Sequence, residues 1–381
     1  MNVDIIILAA GQGKRMQSPV PKVLQSLGGK PLLQHVVDTC SKIEKAKLHI
    51  IVGEQKKLIQ SSISAPKSTN WVIQKKQLGT GHAVKQVLPS LRANSQAVVL
   101  YGDGPLVKSS TLKKLISNVA KNNLTLLTFE SANPKGLGRI IRQSNSKVSG
   151  IVEEKDASSS EKQIKEVNSG ILATSTKNLK QWLPKLRNNN ASKEYYLTDI
   201  VTLCSSENKS IKAINLGDTS ELLGANDNQE LQNLERIYQK ETALRFLKYG
   251  VKFADINRVD FRGEISIGKN AFIDINVVLE GKVSIGSDSI ISVGAVIRNS
   301  TLSKKIKVEP YSVIENSKIG DNSMIGPFAH VGPDAELAND VEIGNFVEVK
   351  RSTISQKTKA KHLAYIGDGA IESNVNVGAG T

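Results

Sequence analysis

The sequence has few cysteines and aromatic residues and no long hydrophobic run. Its two cysteines, Cys40 and Cys204, stand far apart in 381 residues, which predicts neither a disulfide framework nor a zinc site. No apolar run approaches the roughly 18 residues of a membrane-spanning helix, and the N-terminus enters a strand pattern without signal-peptide features. We therefore expect a globular cytoplasmic enzyme with no membrane partner.

The chain carries a large excess of positive charge. The formal net charge is +15 at pH 7, with 51 Lys and Arg residues against 36 Asp and Glu residues. Proteins that bind nucleic acid combine such a charge with a dense basic patch or with aromatic residues for base stacking. Here the lysines are scattered and aromatic residues make up 4% of the chain. We expect no nucleic-acid partner, and a basic but functionally neutral surface explains most of the charge.

The first 225 residues alternate short apolar runs with amphipathic stretches. This alternation predicts an α/β fold with a mostly parallel sheet covered on both faces, and ligands bind beyond the carboxyl ends of such strands. A chain of this length also exceeds the usual size of one core, so we expect two domains. The predicted strands include 5–8, 49–52, 97–101, 124–129 and 171–174, and the predicted helices include 32–42 and 81–91.

Residues 226–249 have a helical hydrophobic stripe, and Gly250 follows as a stop signal. This pattern predicts a helix that joins two domains. We place the first domain at 1–225, a helical linker at 226–249 and the second domain at 250–381.

From about residue 264 the hydrophobic period changes to six. Two in-phase series of aliphatic residues recur, which a helix with 3.6 residues per turn does not produce. The period predicts a parallel β-helix in which each aliphatic side chain stacks inward on its counterpart one coil away. The repeat is still running at Thr381, although solenoid ends need caps, so we expect a fragment of a longer protein. The two series are Ile267, Ile273, Leu279, Ile285, Ile291 and Ile297, then Ile319, Ile325, Val331, Leu337, Ile343 and Val349.

A glycine-containing loop follows the first predicted strand. Gly11 and Gly13 let backbone N–H groups approach an anionic or planar ligand, and Arg15 and Lys22 add two cations. The spacing is not the Gly-x-Gly-x-x-Gly pattern of a dinucleotide site. An ordinary βα turn with two solvated charges is the alternative interpretation. Asp103, just beyond another predicted strand, is either a turn residue or a ligand for Mg²⁺.

The complete string favours the functional interpretation of this loop. Leu8-Ala9-Ala10-Gly11-x-Gly13-x-Arg15-Met16, followed by Pro21-Lys22-x-Leu24, resembles the signature of the sugar-nucleotide pyrophosphorylases. In that family the loop wraps a nucleotide and its phosphates. Lys14 stands where the family usually has threonine, a departure that leaves the backbone cradle in place.

Further strings narrow the resemblance. Together with the hexapeptide repeats, they are similar to the bifunctional N-acetylglucosamine-1-phosphate uridylyltransferases/glucosamine-1-phosphate acetyltransferases over essentially the whole chain. This resemblance implies a Rossmann-like nucleotidyltransferase domain and a left-handed parallel β-helix acyltransferase domain. The strings are Gln74-x-x-Gln77-Leu78-Gly79-Thr80-Gly81-His82-Ala83, Gly138-Arg139, Gly150-Ile151-Val152-Glu153, Asn168-Ser169-Gly170, Tyr195-Tyr196-Leu197-Thr198-Asp199 and Gly224-Ala225-Asn226.

The resemblance implies UTP and N-acetylglucosamine-1-phosphate as substrates of the first domain. No nucleophilic residue is required, since the sugar phosphate attacks directly, and His82 is interpreted as structural. The amide of Gln74 is suited to uracil because it offers both an acceptor and a donor. The implied contacts are Leu8, Ala9, Ala10, Gly11, Gln74, Gly79 and Thr80 for uridine; Arg15 and Lys22 for phosphates; Gly138, Glu153 and Asn168 for N-acetylglucosamine; Tyr101 and Gly102 for substrate; and Asp103 and Asn226 for Mg²⁺.

For the second domain, the resemblance implies acetyl transfer from acetyl-CoA to glucosamine-1-phosphate. His362 would be the base, a task that suits histidine because its pKa lies near the working pH. Lys350 and Tyr365 would bind the sugar phosphate and sugar, Asn376 the sugar and Ala379 acetyl-CoA. The family also implies a homotrimer, and the missing coils belong to the domain that forms it.

Two departures weaken this second activity. The family has an Arg-x-Arg-Pro string where this chain reads His330-Val331-Gly332-Pro333. Gly332 therefore replaces an arginine that binds phosphate, which removes a charge-assisted contact; our hypothesis is that His330 replaces part of it. The second departure is the missing C-terminal part, so we expect weak or absent acetyl transfer. Another sugar-1-phosphate nucleotidylyltransferase and a non-catalytic scaffold subunit are the alternative functions.

Overall fold

The computed structural model describes residues 1–11, 13–217 and 220–381, and the chain divides into two compact units. The first comprises Met1–Ser26 and Pro31–Leu234, and the second comprises Leu27–Lys30 and Glu235–Thr381. A 22-residue helix, Asn228–Tyr249, contains the change from one unit to the other. None of the helices in the described ranges has the length and apolar content needed to span a bilayer.

The strands before residue 217 alternate with helices, as the sequence predicts. The helices are α1 (Leu32–Cys40), α2 (Lys56–Ser62), α3 (Thr80–Lys85), α4 (Ser109–Val119), α5 (Thr176–Trp182), α6 (Asp199–Ser206) and α7 (Asn228–Tyr249). The strands are β1 (Val3–Ala9), β2 (Ser26–Leu27), β3 (Lys30–Pro31), β4 (Ala46–Val52), β5 (Asn70–Ile73), β6 (Gln96–Tyr101), β7 (Leu124–Glu130), β8 (Arg139–Arg142), β9 (Val148–Val152), β10 (Glu166–Ser175) and β11 (Ile211–Asn215).

The central sheet of the first unit has the strand order β11-β7-β10-β6-β1-β4-β5. Pairing is parallel through β6, β1, β4 and β5, as the sequence predicts. The difference lies at β10, which is antiparallel to both β6 and β7, so the sheet is mixed. The predicted helix 81–91 is also shorter: α3 ends at Lys85, and a separate 3₁₀ turn covers Leu88–Ser90.

Both faces of this sheet are buried. Ile5 and Ile7 belong to one hydrophobic core, and Ile6 belongs to the other, because successive side chains of a strand point to opposite faces. Cys40 and Cys204 are buried free thiols, as expected from their spacing. This arrangement leaves the carboxyl ends of β1, β4, β5 and β6 at one edge of the sheet.

The second unit is a left-handed parallel β-helix. All twelve aliphatic residues of the two predicted series are buried in one continuous core. Each coil repeats after 17 or 18 residues, as in the pairings of Ile297 with Ile314 and of Val331 with Val349. The prediction of inward stacking is therefore confirmed.

The strands of the second unit are short and pair in parallel. They are β12 (Lys252–Phe253), β13 (Val259–Ile267), β14 (Phe272–Ile273), β15 (Val277–Ile285), β16 (Ile290–Ile291), β17 (Val296–Arg298), β18 (Thr301–Leu302), β19 (Lys307–Val308), β20 (Val313–Glu315), β21 (Lys318–Ile319), β22 (Met324–Ile325), β23 (His330–Val331), β24 (Glu336–Leu337), β25 (Glu342–Asn345), β26 (Glu348–Lys350), β27 (Thr353–Ile354), β28 (Lys359–His362), β29 (Tyr365–Gly367), β30 (Ala370–Ile371) and β31 (Asn376–Val377).

Candidate functional site

A cavity of about 540 Å³ lies at the carboxyl edge of the sheet in the first unit. Its volume is within the usual range for small-molecule sites. Gly102 is not among the lining residues; its N–H donates to the Leu8 carbonyl oxygen at 2.9 Å and ties the end of β6 to β1. The predicted site residues that line the cavity are Leu8, Ala9, Ala10, Gly11, Arg15, Lys22, Gln74, Gly79, Thr80, Tyr101, Asp103, Gly138, Glu153, Asn168 and Asn226.

The loop after β1 forms one wall of the cavity. Gly13 has φ of +61°, and a Cβ on it would lie 2.6 Å from the Cβ of Lys22. A glycine is therefore needed here for the Lys22 segment to pass so close. Gln77, which sequence analysis did not select, donates through Nε2 to the Ala10 carbonyl oxygen at 2.6 Å. This bond fixes the loop, and no local sequence pattern signals a contact between residues so far apart in the chain.

Lys22, Asp103 and Asn226 meet at the cavity from three distant parts of the chain. The Lys22 ammonium forms an ion pair with Asp103 and donates to Asn226 Oδ1 at 3.1 Å. Both charged side chains of the pair are largely buried, at 16% and 15% exposed. One cation thus already contacts an oxygen of Asp103 and an oxygen of Asn226.

These two oxygens fit the needs of a divalent cation. Mg²⁺ takes one or two protein oxygens and completes its shell with water and substrate phosphates. Within the described ranges, no group of three or more His, Cys, Asp and Glu side chains forms a closed metal site. A cation bound by the oxygens of Asp103 and Asn226 alone would keep open positions for water and for the oxygens of a ligand.

Glu153 is a partly buried carboxylate that lines the cavity. Its Oε1 accepts a hydrogen bond from Thr198 Oγ1 at 2.9 Å. Burial raises the pKa of Glu153, and the negative charges of Asp156 and Glu194 add to that effect. Burial and the charges of Glu153 and Asp156 likewise raise the pKa of Asp199, at the start of α6, to about 6. Glu153 can accept a hydrogen bond from a ligand hydroxyl when it is ionised.

Gly138 provides the space beside Glu153. A Cβ on Gly138 would lie 2.9 Å from Ile151 Cγ2 and 3.4 Å from Glu153 Oε2. The first distance is below normal contact, so a side chain here would displace the cavity wall. The glycine therefore keeps the carboxylate accessible.

An irregularity in β10 shapes the wall next to Gly138, whose carbonyl oxygen accepts from the Asn168 N–H at 2.8 Å. The pairing of β10 with β7 shifts register between Asn168 and Leu172, and Asn168 Oδ1 accepts from the Gly170 N–H at 3.1 Å. Gly170 has φ of +78°, and a Cβ there would collide with the ring of Tyr101. Sequence analysis quoted Gly170 only within a string, because a strand glycine signals a bulge without saying what lies above it.

Gln74 is 4% exposed and sits where β5 ends. Its Nε2 donates to the Gly79 carbonyl oxygen at 3.1 Å. Thr80 begins α3, and its hydroxyl oxygen accepts from the Leu197 N–H at 3.0 Å. These bonds connect the Gln74 segment to the residues before α6.

The predicted residues of the β-helix lie on neighbouring coils. Lys350 pairs with Gly367 one coil later, and Tyr365 pairs with Glu348. His362 ends β28, where it is exposed and pairs with Asn345. Two further predicted residues, Asn376 on β31 and the exposed Ala379 that follows it, belong to the next coil.

Residues 330–333 differ from the family's Arg-x-Arg-Pro string, and the structure shows what surrounds His330 and Gly332. His330 Nε2 lies 3.3 Å from Glu315 and its Nδ1 lies 3.6 Å from Glu348. Gly332 has φ of +124°, and a Cβ there would collide with the Glu315 carbonyl oxygen. The backbone at 332 is therefore suited to glycine. Because two carboxylates flank His330, its replacement of a phosphate-binding arginine stays a prediction.

Comparisons with known proteins agree with this architecture. Residues 5–144 match a MobA-like NTP transferase domain, residues 316–351 match the six-repeat bacterial transferase hexapeptide, and residues 261–331 match a GMPPB C-terminal domain. The bifunctional protein GlmU of Marinobacter nauticus is 45% identical over 379 residues, which span 100% of this chain and 83% of that protein. GlmU of Baumannia cicadellinicola is 45% identical, over 100% of this chain and 82% of that protein.

The chain belongs to the GlmU family. GlmU of Cellvibrio japonicus is similar as well, at 44% identity over 100% of this chain and 83% of that protein. Family membership makes the chain an enzyme, with a nucleotidyltransferase domain and a hexapeptide-repeat acyltransferase region. A solved structure of UDP-glucose pyrophosphorylase complexed with UDP-glucose has a TM-score of 0.51 at 17% identity, over 63% of this chain and 100% of that one. At this identity it supports the fold alone.

Proposed function

We propose that this chain transfers UMP from UTP to N-acetylglucosamine-1-phosphate and releases pyrophosphate. The observation that carries the proposal is a single cavity that combines the glycine loop, two cations, the buried Gln74 amide and the Asp103–Asn226 oxygen pair. The residue roles are those that the family resemblance implies. The two cations suit the reaction, because two polyanions must meet and positive charge has to screen them and hold the reacting atoms in line.

In this reaction an oxygen of the sugar phosphate attacks the α-phosphorus of UTP. The bond from that phosphorus to the bridging oxygen breaks, and pyrophosphate leaves. Arg15 and Lys22 stabilise the charge on the phosphates, while Leu8–Gly11, Gln74, Gly79 and Thr80 hold the uridine. Gly138, Glu153 and Asn168 contact the sugar. Tyr101 is a further substrate contact in the same cavity, and Gly102 holds the end of β6 in place.

Asp103 and Asn226 would hold Mg²⁺. Mg²⁺ when bound supplies positive charge to the phosphates and fixes their orientation. Lys22 contacts both oxygens, so its ammonium is placed to move toward the phosphates once another cation takes these ligands. The family implies a divalent metal, and oxygen ligands suit a hard cation such as Mg²⁺ or Mn²⁺; of these we propose Mg²⁺.

The test is pyrophosphate release from UTP plus N-acetylglucosamine-1-phosphate with Mg²⁺, for the wild type and Asp103→Ala. We expect release that falls roughly 100-fold or more in the variant, because a substrate-orienting charge is lost. Asp288→Asn, at a corner of the β-helix with φ of +61° that asparagine tolerates, is the control. No release by folded wild type would favour the scaffold alternative. A preference for another nucleotide would favour a different sugar-1-phosphate nucleotidylyltransferase.

We propose acetyl transfer from acetyl-CoA to glucosamine-1-phosphate as the activity of the β-helix. The amine nitrogen attacks the thioester carbonyl carbon, the carbon–sulfur bond breaks, and coenzyme A leaves. His362 accepts the amine proton, Lys350 and Tyr365 hold the sugar phosphate, and Asn376 and Ala379 contact sugar and coenzyme A. Since Gly332 offers no guanidinium to the phosphate, we expect weak binding of this substrate. Thiol release by wild type and His362→Ala tests the assignment, and equal rates would contradict it.

A row of exposed apolar side chains supports the proposed homotrimer. Tyr311, Phe328, Phe346 and Leu363 occupy equivalent corners of successive coils and are 50–60% exposed. All four have positive φ, between +51° and +57°, which is unfavourable for bulky residues. The three rings stack, with centroids 5.5 and 5.6 Å apart. Stacking alone leaves the outer faces of the three rings in water. Their burial against another protein surface would offset the free-energy cost of the positive φ angles.

A second copy of the chain suits this row, because another β-helix has the same spacing along its axis. With roughly 100 Å² exposed per side chain, the four offer on the order of 400 Å², about half of what each partner buries in a stable interface. The test is sedimentation velocity of wild type and Phe328→Asp/Phe346→Asp, with Leu58→Asp on α2 as an exposed control. We expect a trimer that the double variant dissociates. An unchanged oligomer would contradict the role of this row.

A further inference from the structure

The Gln74 amide is held by the protein through both hydrogens of its nitrogen. Gln74 Nε2 lies 3.1 Å from the Gly79 carbonyl oxygen and 3.1 Å from His82 Nδ1. A backbone carbonyl only accepts, so the atom facing Gly79 is the amide nitrogen. Its second hydrogen then points to the histidine ring.

This arrangement requires His82 to accept at Nδ1. Burial and the positive charge of Lys85 lower the pKa of His82, which favours the neutral ring with one acceptor nitrogen. On the other side, Gln86 Nε2 donates to the His82 carbonyl oxygen at 3.1 Å and lies 3.2 Å from His82 Nε2. Gln74 is 4% exposed and Gln86 less buried, so an unmade bond costs more at Gln74. The proton therefore resides on Nε2.

With both amide hydrogens occupied, Gln74 offers the cavity an oxygen. In the described part of the chain, no side chain or backbone group donates a hydrogen bond to Gln74 Oε1. Uracil presents N3–H, a donor, at its pairing edge, whereas cytosine has an unprotonated N3 there. An oxygen facing cytosine N3 would bring two acceptors together, and the amide cannot turn without losing its bonds to Gly79 and His82.

We propose that His82 is a positioning residue that locks the Gln74 amide oxygen toward the nucleotide base and so selects uracil over cytosine. This inference rests on the proposed function of the cavity, and it goes beyond it by naming the source of the base selectivity. It also replaces our interpretation of His82 as structural. The histidine itself does not touch the ligand.

The experiment compares UTP and CTP as ligands and substrates for wild type, His82→Ala, His82→Met and His82→Asn. The measurements are the ratio of the two dissociation constants and the ratio of kcat/KM. We expect His82→Ala and His82→Met to reduce the UTP/CTP ratio roughly 3- to 10-fold, the worth of one hydrogen bond. Asparagine carries an acceptor oxygen near the place of Nδ1, so His82→Asn should retain the ratio.

The controls separate this inference from a merely structural role. Gln86→Ala removes the contact on the far side of the ring and should leave the ratio unchanged. If His82→Ala or His82→Met lowers stability or kcat but keeps the wild-type ratio, the inference is overturned. If Gln74→Ala leaves UTP affinity unchanged, the proposed base contact itself fails, which distinguishes the two errors. The methionine variant retains volume, so the comparison survives a folding defect in the alanine variant.

Discussion

Asp4 at the start of β1 offers the sharpest test of how the sheet that carries the cavity is held together. Its carboxylate is fully buried and accepts from His49 Nε2 at 2.9 Å and from Arg92 Nε at 3.2 Å. Ser95 also donates to it. Asp4→Ala would leave the buried His49 ring without this acceptor and would remove the charge partner of the partly exposed Arg92 guanidinium. Breaking a buried charge pair in this way costs about 3–5 kcal/mol, a large share of a typical stability of about 5–15 kcal/mol.

The pH dependence follows from the same contacts. Burial alone would raise the pKa of Asp4, but hydrogen bonds from His49 and Ser95 and the charge of Arg92 outweigh it and lower the pKa. A carboxyl whose folded pKa is lowered stabilises the fold above its unfolded pKa of about 3.9, and this contribution is lost as pH falls through the folded value. Asp4→Asn should therefore show less loss of stability than wild type below about pH 4.

Urea unfolding monitored by tryptophan fluorescence measures the stability of the first compact unit, which contains Asp4. Both tryptophans, Trp71 and Trp182, belong to the first unit. Thr125→Val is the matched control in the same sheet: its buried hydroxyl has no hydrogen-bond partner within the described ranges, so the change should be neutral or stabilising. A loss below about 1 kcal/mol for Asp4→Ala at pH 7 would refute the reasoning, because it lies far under the expected cost.

Three further outcomes follow from the cavity and the β-helix. Gly138→Ala should raise KM for the sugar phosphate while KM for UTP stays near wild type, since the new Cβ meets Ile151 at 2.9 Å; equal changes in both would contradict the sugar location. Because burial raises the pKa of Glu153, KM for the sugar phosphate should increase as pH falls through that raised pKa. Glu153→Gln should flatten the dependence of this KM on pH, measured by steady-state kinetics. Gly332→Arg should lower the thermal stability of the β-helix rather than restore phosphate binding, because its φ of +124° and the Glu315 carbonyl oxygen oppose a side chain; improved glucosamine-1-phosphate binding by calorimetry would disprove this.

The sequence predicts the cavity residues that belong to a recognisable local motif. It does not predict contacts between segments that are distant in the chain. The glycine loop and Asp103 follow predicted strands, so their meeting at one sheet edge is foreseeable. The contact of Gln77 with the Ala10 carbonyl oxygen joins segments 67 residues apart, which no local pattern encodes. The same is true of β10, whose antiparallel direction depends on how the chain returns to the sheet, because an apolar run alone carries no direction.

In the β-helix, the six-residue period correctly predicts the buried residues within each series but not the spacing between the two series. The six-residue period locates both buried series, but it does not connect them, since the steps from Ile297 to Leu302 and from Ile314 to Ile319 contain five residues. Leu302, Val308 and Ile314 are buried all the same, so each shortened step removes one corner residue and leaves the inward stack intact. Corners tolerate such deletions because their residues face solvent, whereas a deletion within a strand would turn its buried side chain outward. The core therefore dictates which residues stay apolar, and the corners are free to vary. This freedom is why the exposed row at Tyr311, Phe328, Phe346 and Leu363 calls for an explanation outside the core.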